Sequence, residues 1–386
     1  ASRDVNLLSI ASSEINFSSG LFGGGHLPAS NDPEWSLDQV KVKEAWQQFF
    51  PSASPANPPG SGIIIGHPDT GYTKNPETLP NIHIEKGFNF LEDGLAEDRL
   101  IGGLLRFPGH GTGTSSVIVS PVKAQSPETQ PGVSGVAPGA KIIPLRVSTS
   151  VVLLADMGNL SRAIEYAADN GAHIISISMG GLFSSRLRRA VKYAQKKGVI
   201  ILAAAGNYVG FVVWPAAFDE VIAVAASNAD RETWAFSSSG SKVDVSAPGE
   251  SVWCAETKPP SSYSVTRSSG TSFSVATTAG VAALWLAYHG RDKLINRYGE
   301  ETLTFVFNDI LRRSCDPFAN GSVPNGFGAG IVNAQKVLAT PLPDSFSVPV
   351  EALNNFVLLD MGTLETFSHL LGEDIDSPSL TSKLSS

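Results

Sequence analysis

Sulfur is scarce in this chain: two cysteines and three methionines among 386 residues. Cys254 and Cys315 form no Cys-x-x-Cys pair and join no Cys/His cluster, which argues against a zinc site. The pair is compatible with one disulfide or with two thiols. Positive charge is sparse as well. With 28 Lys and Arg against 36 Asp and Glu, the net charge is −8 and no basic cluster stands out. Nucleic acid is therefore not an expected partner. No run reaches the roughly 18–20 uninterrupted apolar residues of a membrane span. The nearest, 280–289, reads as a buried core helix. The chain opens on Ala1 with no basic region leading into an apolar stretch, so no signal peptide is predicted and either a mature, processed form or a trimmed chain is expected.

Apolar residues are plentiful, at 42% of the chain, enough for a sizeable core in one large α/β domain or two smaller ones. Residues 1–30, rich in Ser and Gly without a clear period, read as an N-terminal arm. Residues 31–340 alternate short apolar or β-branched runs with helical patterns. Residues 341–386 weaken into a C-terminal extension, in which 356–359 and 364–371 are apolar enough to dock on the domain. Strands are predicted at 61–66, 141–147, 173–179, 199–205 and 221–226, and helices at 159–170, 185–197, 272–289 and 301–313. The strand runs are continuously apolar rather than alternating, the mark of a parallel sheet covered on both faces. The predicted fold class is α/β: a doubly wound, mostly parallel sheet with helices on both faces. Ligands of such folds sit beyond the carboxyl ends of the strands.

Four polar side chains fall in such places. Asp69, in His67-Pro68-Asp69-Thr70-Gly71, follows the first predicted strand, where a carboxylate held by a glycine turn can orient an imidazole. His110 stands between glycines in Gly109-His110-Gly111-Thr112, ahead of an apolar run, and a neutral imidazole is the usual proton acceptor near pH 7. His67 is the rival base; its place beside Asp69 fits a supporting role better. Asn207 ends the run after the 199–205 strand, where its amide N–H can face developing negative charge. Ser272 follows Gly270-Thr271 at the start of the long apolar helix, whose free N–H groups suit an oxyanion.

Taken in order, Asp-Thr-Gly, His-Gly-Thr, Ala-Ala-Gly-Asn and Gly-Thr-Ser resemble the motifs of the subtilisin-like serine peptidases. Asp, His, Ser is also the chain order of the subtilisin triad. Further likenesses are the segment 135–147, the run Ile174 to Gly181, the opening Asn31-Asp32-Pro33 with Trp35, and Gly326 to Ala334, so the resemblance spans roughly 31–340. It implies a serine endopeptidase working through an acyl-enzyme, with Ser272 as nucleophile, His110 as general base and acid, Asp69 as orienting carboxylate and Asn207 as oxyanion donor. By the same resemblance, Ser178, Met179 and Gly180 on one side and Leu153, Leu154 and Ala155 on the other would pair with an extended peptide. Ala204, Ala205 and Gly206 would line the pocket for the residue before the scissile bond, with broad specificity and an apolar or aromatic preference.

The resemblance further implies a secreted or extracytoplasmic protein made as a zymogen, although 1–29 are too short for an intact pro-region. A monomer acting on protein or peptide substrates is expected. No cofactor is needed for the chemistry. Calcium is common among such peptidases, but the usual Asn-rich loop is not recognisable; the acidic loop Glu92, Asp93, Glu97 and Asp98 is the place for a structural ion, with a solvated loop as the simpler reading. The sequence departs from the family at His67-Pro68, which predicts an early end to the first strand, at Gly113, and at Phe273-Ser274, where Met-Ala is common.

Overall fold

The structure, a computed structural model, describes residues 32–103, 106–122, 132–153, 157–259 and 262–347. The proposed N-terminal arm and most of the C-terminal extension, including 356–359 and 364–371, lie outside the described residues.

In chain order the helices are α1 (Trp35–Gln39), α2 (Val42–Phe49), α3 (His110–Val119), α4 (Met157–Asp169), α5 (Ser185–Gln195), α6 (Thr271–His289), α7 (Arg291–Tyr298), α8 (Leu303–Arg313) and α9 (Ala334–Ala339). The strands are β1 (Ile64–Asp69), β2 (Phe88–Asn89), β3 (Lys141–Arg146), β4 (Val152–Leu153), β5 (Ile174–Ile177), β6 (Gly180–Gly181), β7 (Ile200–Ala204), β8 (Ile222–Ser227), β9 (Val245–Pro248), β10 (Val252–Lys258) and β11 (Ser262–Ser268).

Seven strands form one sheet in the order β2-β3-β1-β5-β7-β8-β9, with every pairing parallel. Alternate residues of each strand enter two different cores. Ile65, Ile142, Ile174, Ile200, Leu202, Ile222 and Val224 pack with α6 and α8 on one face. Ile143, Ile175, Ile201, Ala203, Ala223 and Ala225 pack with α4 and α5 on the other. This is the doubly wound, helix-covered sheet expected from continuous apolar strands. The chain winds outward from β1 in one direction to β3 and in the other to β5, so the crevice between β1 and β5 is the switch point at which such folds hold ligands.

Helix α6 runs against β5, β7, β8 and β9. It is buried from Thr271 to Leu286, so its apolar residues cover its whole circumference. Val136 packs tightly against it at Gly280, where a Cβ would lie 2.5 Å from Val136 Cβ.

The early strand end expected at His67-Pro68 does not occur: β1 continues through Pro68 to Asp69, paired with β3 along its full length. The β5 edge of β1 is paired only at Ile65 and Gly66. Past Gly66 that edge has no ladder, so the N–H that proline lacks is not missed there. Strand β9 and the β10–β11 hairpin lie outside the expected strands, because they carry Ser, Thr, Pro and charged residues rather than an apolar run. Cys254, on β10, and Cys315, after α8, are both free thiols.

Candidate active site

Asp69 ends β1 with no solvent exposure. Its Oδ1 accepts from the Thr70 N–H at 2.7 Å and meets Nδ1 of His110 at 2.7 Å. An ionised carboxylate only accepts, so Nδ1 carries the proton and Nε2 is the basic nitrogen of a neutral ring. Burial alone would push the Asp69 carboxyl up, but the charge and hydrogen bond of His110, with His67 and the Thr70 N–H, hold it below the usual carboxylate range.

His110 is the first residue of α3. Gly109, before it, takes φ of +78°, a left-handed conformation that glycine adopts without strain. The Gly109 N–H donates to Asp98 Oδ2 (2.8 Å), and the same oxygen accepts from Thr70 Oγ1 (2.7 Å). Asp98 thereby ties the start of α3 to the turn after Asp69. Thr112 adds a second tie, its Oγ1 accepting from the Thr73 N–H at 2.9 Å. Gly111 permits the approach: a Cβ there would overlap the Gly71 carbonyl oxygen and stand 3.2 Å from Asp69 Oδ1.

Ser272 is the second residue of α6 and is 4% exposed. Its Oγ donates to the Ser178 carbonyl oxygen at 3.1 Å, and Ser178 Oγ returns a bond to the Ser272 carbonyl oxygen at 3.1 Å. The next residue, Phe273, sets its ring 6.4 Å from the His110 ring, between centroids. Asn207 lies just past β7. Its Oδ1 accepts from both the N–H and Oγ1 of Thr271, each at 2.9 Å, which leaves Nδ2 turned the other way. A Cβ on Gly270 would lie 3.4 Å from Asn207 Nδ2 and 3.7 Å from both N and Oγ of Ser272. Two N–H donors and a hydroxyl thus surround one small space, kept open because residue 270 is glycine. Such a space fits an oxygen that gains negative charge beside a nucleophile.

The segments expected to flank an extended peptide lie on two short paired strands. Ser178 follows β5 directly, and Gly180 of β6 pairs in parallel with Val152 of β4, as Gly181 does with Leu153. Leu154 and Ala155 lie outside the described residues. Ala204, Ala205 and Gly206 lead into Asn207, with Gly206 at φ of +114°. Val213, which no sequence motif marks, lies beside both Gly180 and Gly206. A Cβ on Gly180 would come within 2.5 Å of Val213 Cγ2, and one on Gly206 within 3.1 Å of Val213 Cγ1.

Three carboxylates of the acidic loop have partners within the protein. Glu92 bonds Arg146 and Arg99, Glu97 bonds Lys74, and Asp98 serves the Thr70 hydroxyl with the N–H groups of Leu100 and Gly109. Among the described residues no three His, Cys, Asp or Glu side chains converge as metal ligands.

The chain resembles proteins already known. Residues 60–330 match the profile of the subtilase family. Thermitase of Thermoactinomyces vulgaris is 34% identical over 273 residues, 68% of this chain and 86% of thermitase. Subtilisin Savinase of Lederbergia lenta is 30% identical, covering 78% of this chain and 97% of its own. The major intracellular serine protease of Bacillus subtilis is also 30% identical, over 77% and 88%. Among solved structures, a protease from Pseudoalteromonas arctica superposes with a TM-score of 0.64 at 23% identity, covering 81% of this chain and 98% of that one.

Proposed function

The chain belongs to the subtilase family and is a serine endopeptidase, and from that premise we propose that Asp69, His110 and Ser272 form its catalytic triad, with Asn207 and the Ser272 N–H binding the oxyanion. The observation that carries the reading is the 2.7 Å contact of His110 Nδ1 with the buried Asp69 carboxylate. It fixes the tautomer that a general base beside Ser272 needs.

As a peptide carbonyl arrives, the Ser272 hydroxyl turns from the Ser178 carbonyl toward His110 Nε2. His110 takes the proton while Oγ attacks the carbonyl carbon, and Asp69 stabilises the imidazolium. The carbonyl oxygen gains negative charge and meets the Asn207 amide and the Ser272 N–H. His110 then gives the proton to the leaving amine, which departs and leaves Ser272 acylated. Water, deprotonated by His110, attacks the acyl carbonyl and restores the serine.

Residues 31–340 are the catalytic domain, and protein or peptide chains are its substrates. They lie extended along 178–180 and 153–155. The pocket at 204–206 takes an apolar side chain, and Val213, pressed on both Gly180 and Gly206, favours aliphatic over aromatic ones. The enzyme acts as a monomer, secreted or otherwise outside the cytoplasm; no helix among the described residues is long and apolar enough to cross a membrane. No bound cofactor takes part in the chemistry.

The decisive measurement is casein hydrolysis by Ser272→Ala, with fluorophosphonate labelling of the parent enzyme. A loss on the order of 10⁶ in turnover is expected, as when subtilisin loses its serine. Wild-type cleavage by that variant would end the assignment. Activity should rise between pH 5 and 8 as the histidine base becomes neutral; an acidic optimum would point instead to a serine-carboxyl peptidase with a Glu base.

A further inference from the structure

The two oxygens of Asp69 are unequally served. Oδ1 takes the short bonds from Thr70 and His110. Oδ2 faces Thr114 Oγ1 at 3.4 Å and Nε2 of His67 at 3.8 Å. His67 lies two residues before Asp69 on β1 and is 2% exposed. Side chains two apart on a strand share a face, and Ile65, two residues earlier, is core. An apolar residue would fill position 67 without cost, whereas a buried imidazole must be hydrogen-bonded to be tolerated. Both ring nitrogens find hydroxyls on α3: Nε2 is 3.1 Å from Thr114 Oγ1, and Nδ1 is 3.5 Å from Ser115 Oγ.

We infer that His67 is a positioning residue of the triad, linking Ser115 and Thr114 into a chain of donors that ends on Asp69 Oδ2. Ser115 Oγ–H donates to Nδ1, Nε2–H donates to Thr114 Oγ1, and Thr114 Oγ1–H donates to the carboxylate. The Thr114 hydroxyl also lies 3.1 Å from the His110 carbonyl oxygen and 3.3 Å from that of Gly111, so the chain requires its proton to turn from these carbonyls to the charged carboxylate, which only accepts. The chain does two things. It holds the carboxylate plane so that Oδ1 faces His110, and it draws negative charge toward Oδ2, which makes His110 less basic than a carboxylate without that donor would.

The chain needs a neutral His67, and its surroundings supply one. Burial lowers its pKa, the Asp69 carboxylate opposes this, and charge on His110 lowers it again. Other ionisable groups nearby do not intrude. Arg146 on β3 stands opposite Asp69 in register and bonds Glu92. Pro144 is the β3 residue opposite His67, and Ile174 and Ile175 are the β5 residues paired with β1. Ala167 of α4 abuts Gly66. Cys254 of β10, beneath α3, is a buried thiol pushed up to about 12 and so uncharged.

The inference rests on Asp69, His110 and Ser272 being the triad, and the experiment separates the two. Purified full-length enzyme is assayed on a peptide substrate from pH 5 to 9 as wild type, His67→Val, His67→Gln, Thr114→Val and Ser272→Ala. His67→Val is expected to lower kcat about tenfold at unchanged KM and to move the acid limb of the kcat profile up by about half a unit, since a carboxylate that loses a donor makes its histidine partner more basic. His67→Gln, which can still donate, should recover most of both. Thr114→Val cuts the chain with His67 in place and should move the limb the same way; it decides the matter if His67→Val does not fold. An unmoved acid limb in both His67→Val and Thr114→Val, or the same loss in His67→Gln as in His67→Val, would reduce His67 to a packing residue while leaving the triad intact. A fully active Ser272→Ala would remove the triad itself.

Discussion

Gly111 and Gly71 touch so closely that a Cβ on Gly111 would overlap the Gly71 carbonyl oxygen. The contact sets how near α3 comes to β1, and therefore how His110 meets Asp69. Gly111→Ala must push the two elements apart. Overpacking of this kind costs about 1–3 kcal/mol, and a displacement of about 1 Å in a catalytic pair costs about 10²-fold in rate. Thermal unfolding and kcat/KM should both show the loss. Unchanged activity would mean that the contact does not govern the pair.

Gly113, two residues on, should behave in the opposite way. It lies within α3, and an added Cβ would meet Ala255 O at 3.5 Å, Cys254 Sγ at 3.6 Å and Phe273 Cε1 at 3.9 Å, all ordinary contacts. Gly113→Ala is expected to stabilise the fold by about 0.5–1 kcal/mol, the usual gain for relieving a helical glycine of its backbone entropy. Denaturant midpoints measure it, with kcat as the control.

Thr271 orients Asn207 through two bonds to one oxygen. Asn207→Ala should lower kcat about 10²–10³-fold with little change in KM, the range found when subtilisin loses one such donor. Thr271→Val retains the main-chain bond and removes the hydroxyl, so it should cost less, about tenfold. A Thr271→Val loss as large as that of Asn207→Ala would indicate that the hydroxyl does more than orient the amide.

Val213→Ala removes two methyl groups that stand where a side chain on Gly180 or Gly206 would go. The enlarged pocket should raise kcat/KM for substrates with Phe before the scissile bond relative to Ala, by about 10-fold or more on the scale of methylene discrimination in apolar pockets. A peptide library profiled with both enzymes reads the shift. An unchanged Phe-to-Ala ratio would place Val213 outside the pocket.

Acid should weaken the fold before it protonates most carboxylates. Burial, with Arg291 nearby, lowers His173 to about 4, and burial alone lowers His289 to about 4. Unfolded, each titrates near 6.5. Between those values the unfolded chain binds more protons, so this stability is fully present above about pH 6.5 and is lost as pH falls toward about 4. Urea unfolding of Ser272→Ala, which avoids self-digestion, should show declining stability across that window, with a shallower slope in His289→Leu. Stability that rises on acidification would contradict this.

The sheet and its helices are legible because apolar runs of strand length cannot stay exposed, and the four motif residues stand out as candidates because glycine turns and strand ends mark where side chains leave the core. What escaped reading depends on contacts between distant segments. Thr271 is an ordinary helix-start threonine until Asn207 is brought to it. Asp98 reads as one more charge in an acidic loop until the fold lays it on the N–H of Gly109. Val213 carries no local pattern at all. Pro68 was misjudged because its tolerance depends on how far β5 runs beside β1. The place of His67 beside the carboxylate follows from their two-residue spacing on a strand, but its hydroxyl partners four and five residues past His110 reach it only when α3 packs on β1.

Because Ser272, the proposed nucleophile, lies in the first turn of a helix that is buried from Thr271 to Leu286, local fraying should not carry it off. Heat inactivation and calorimetric melting should therefore superimpose, and a protease challenge that nicks surface loops should leave the hydrolytic centre working until the whole molecule gives way.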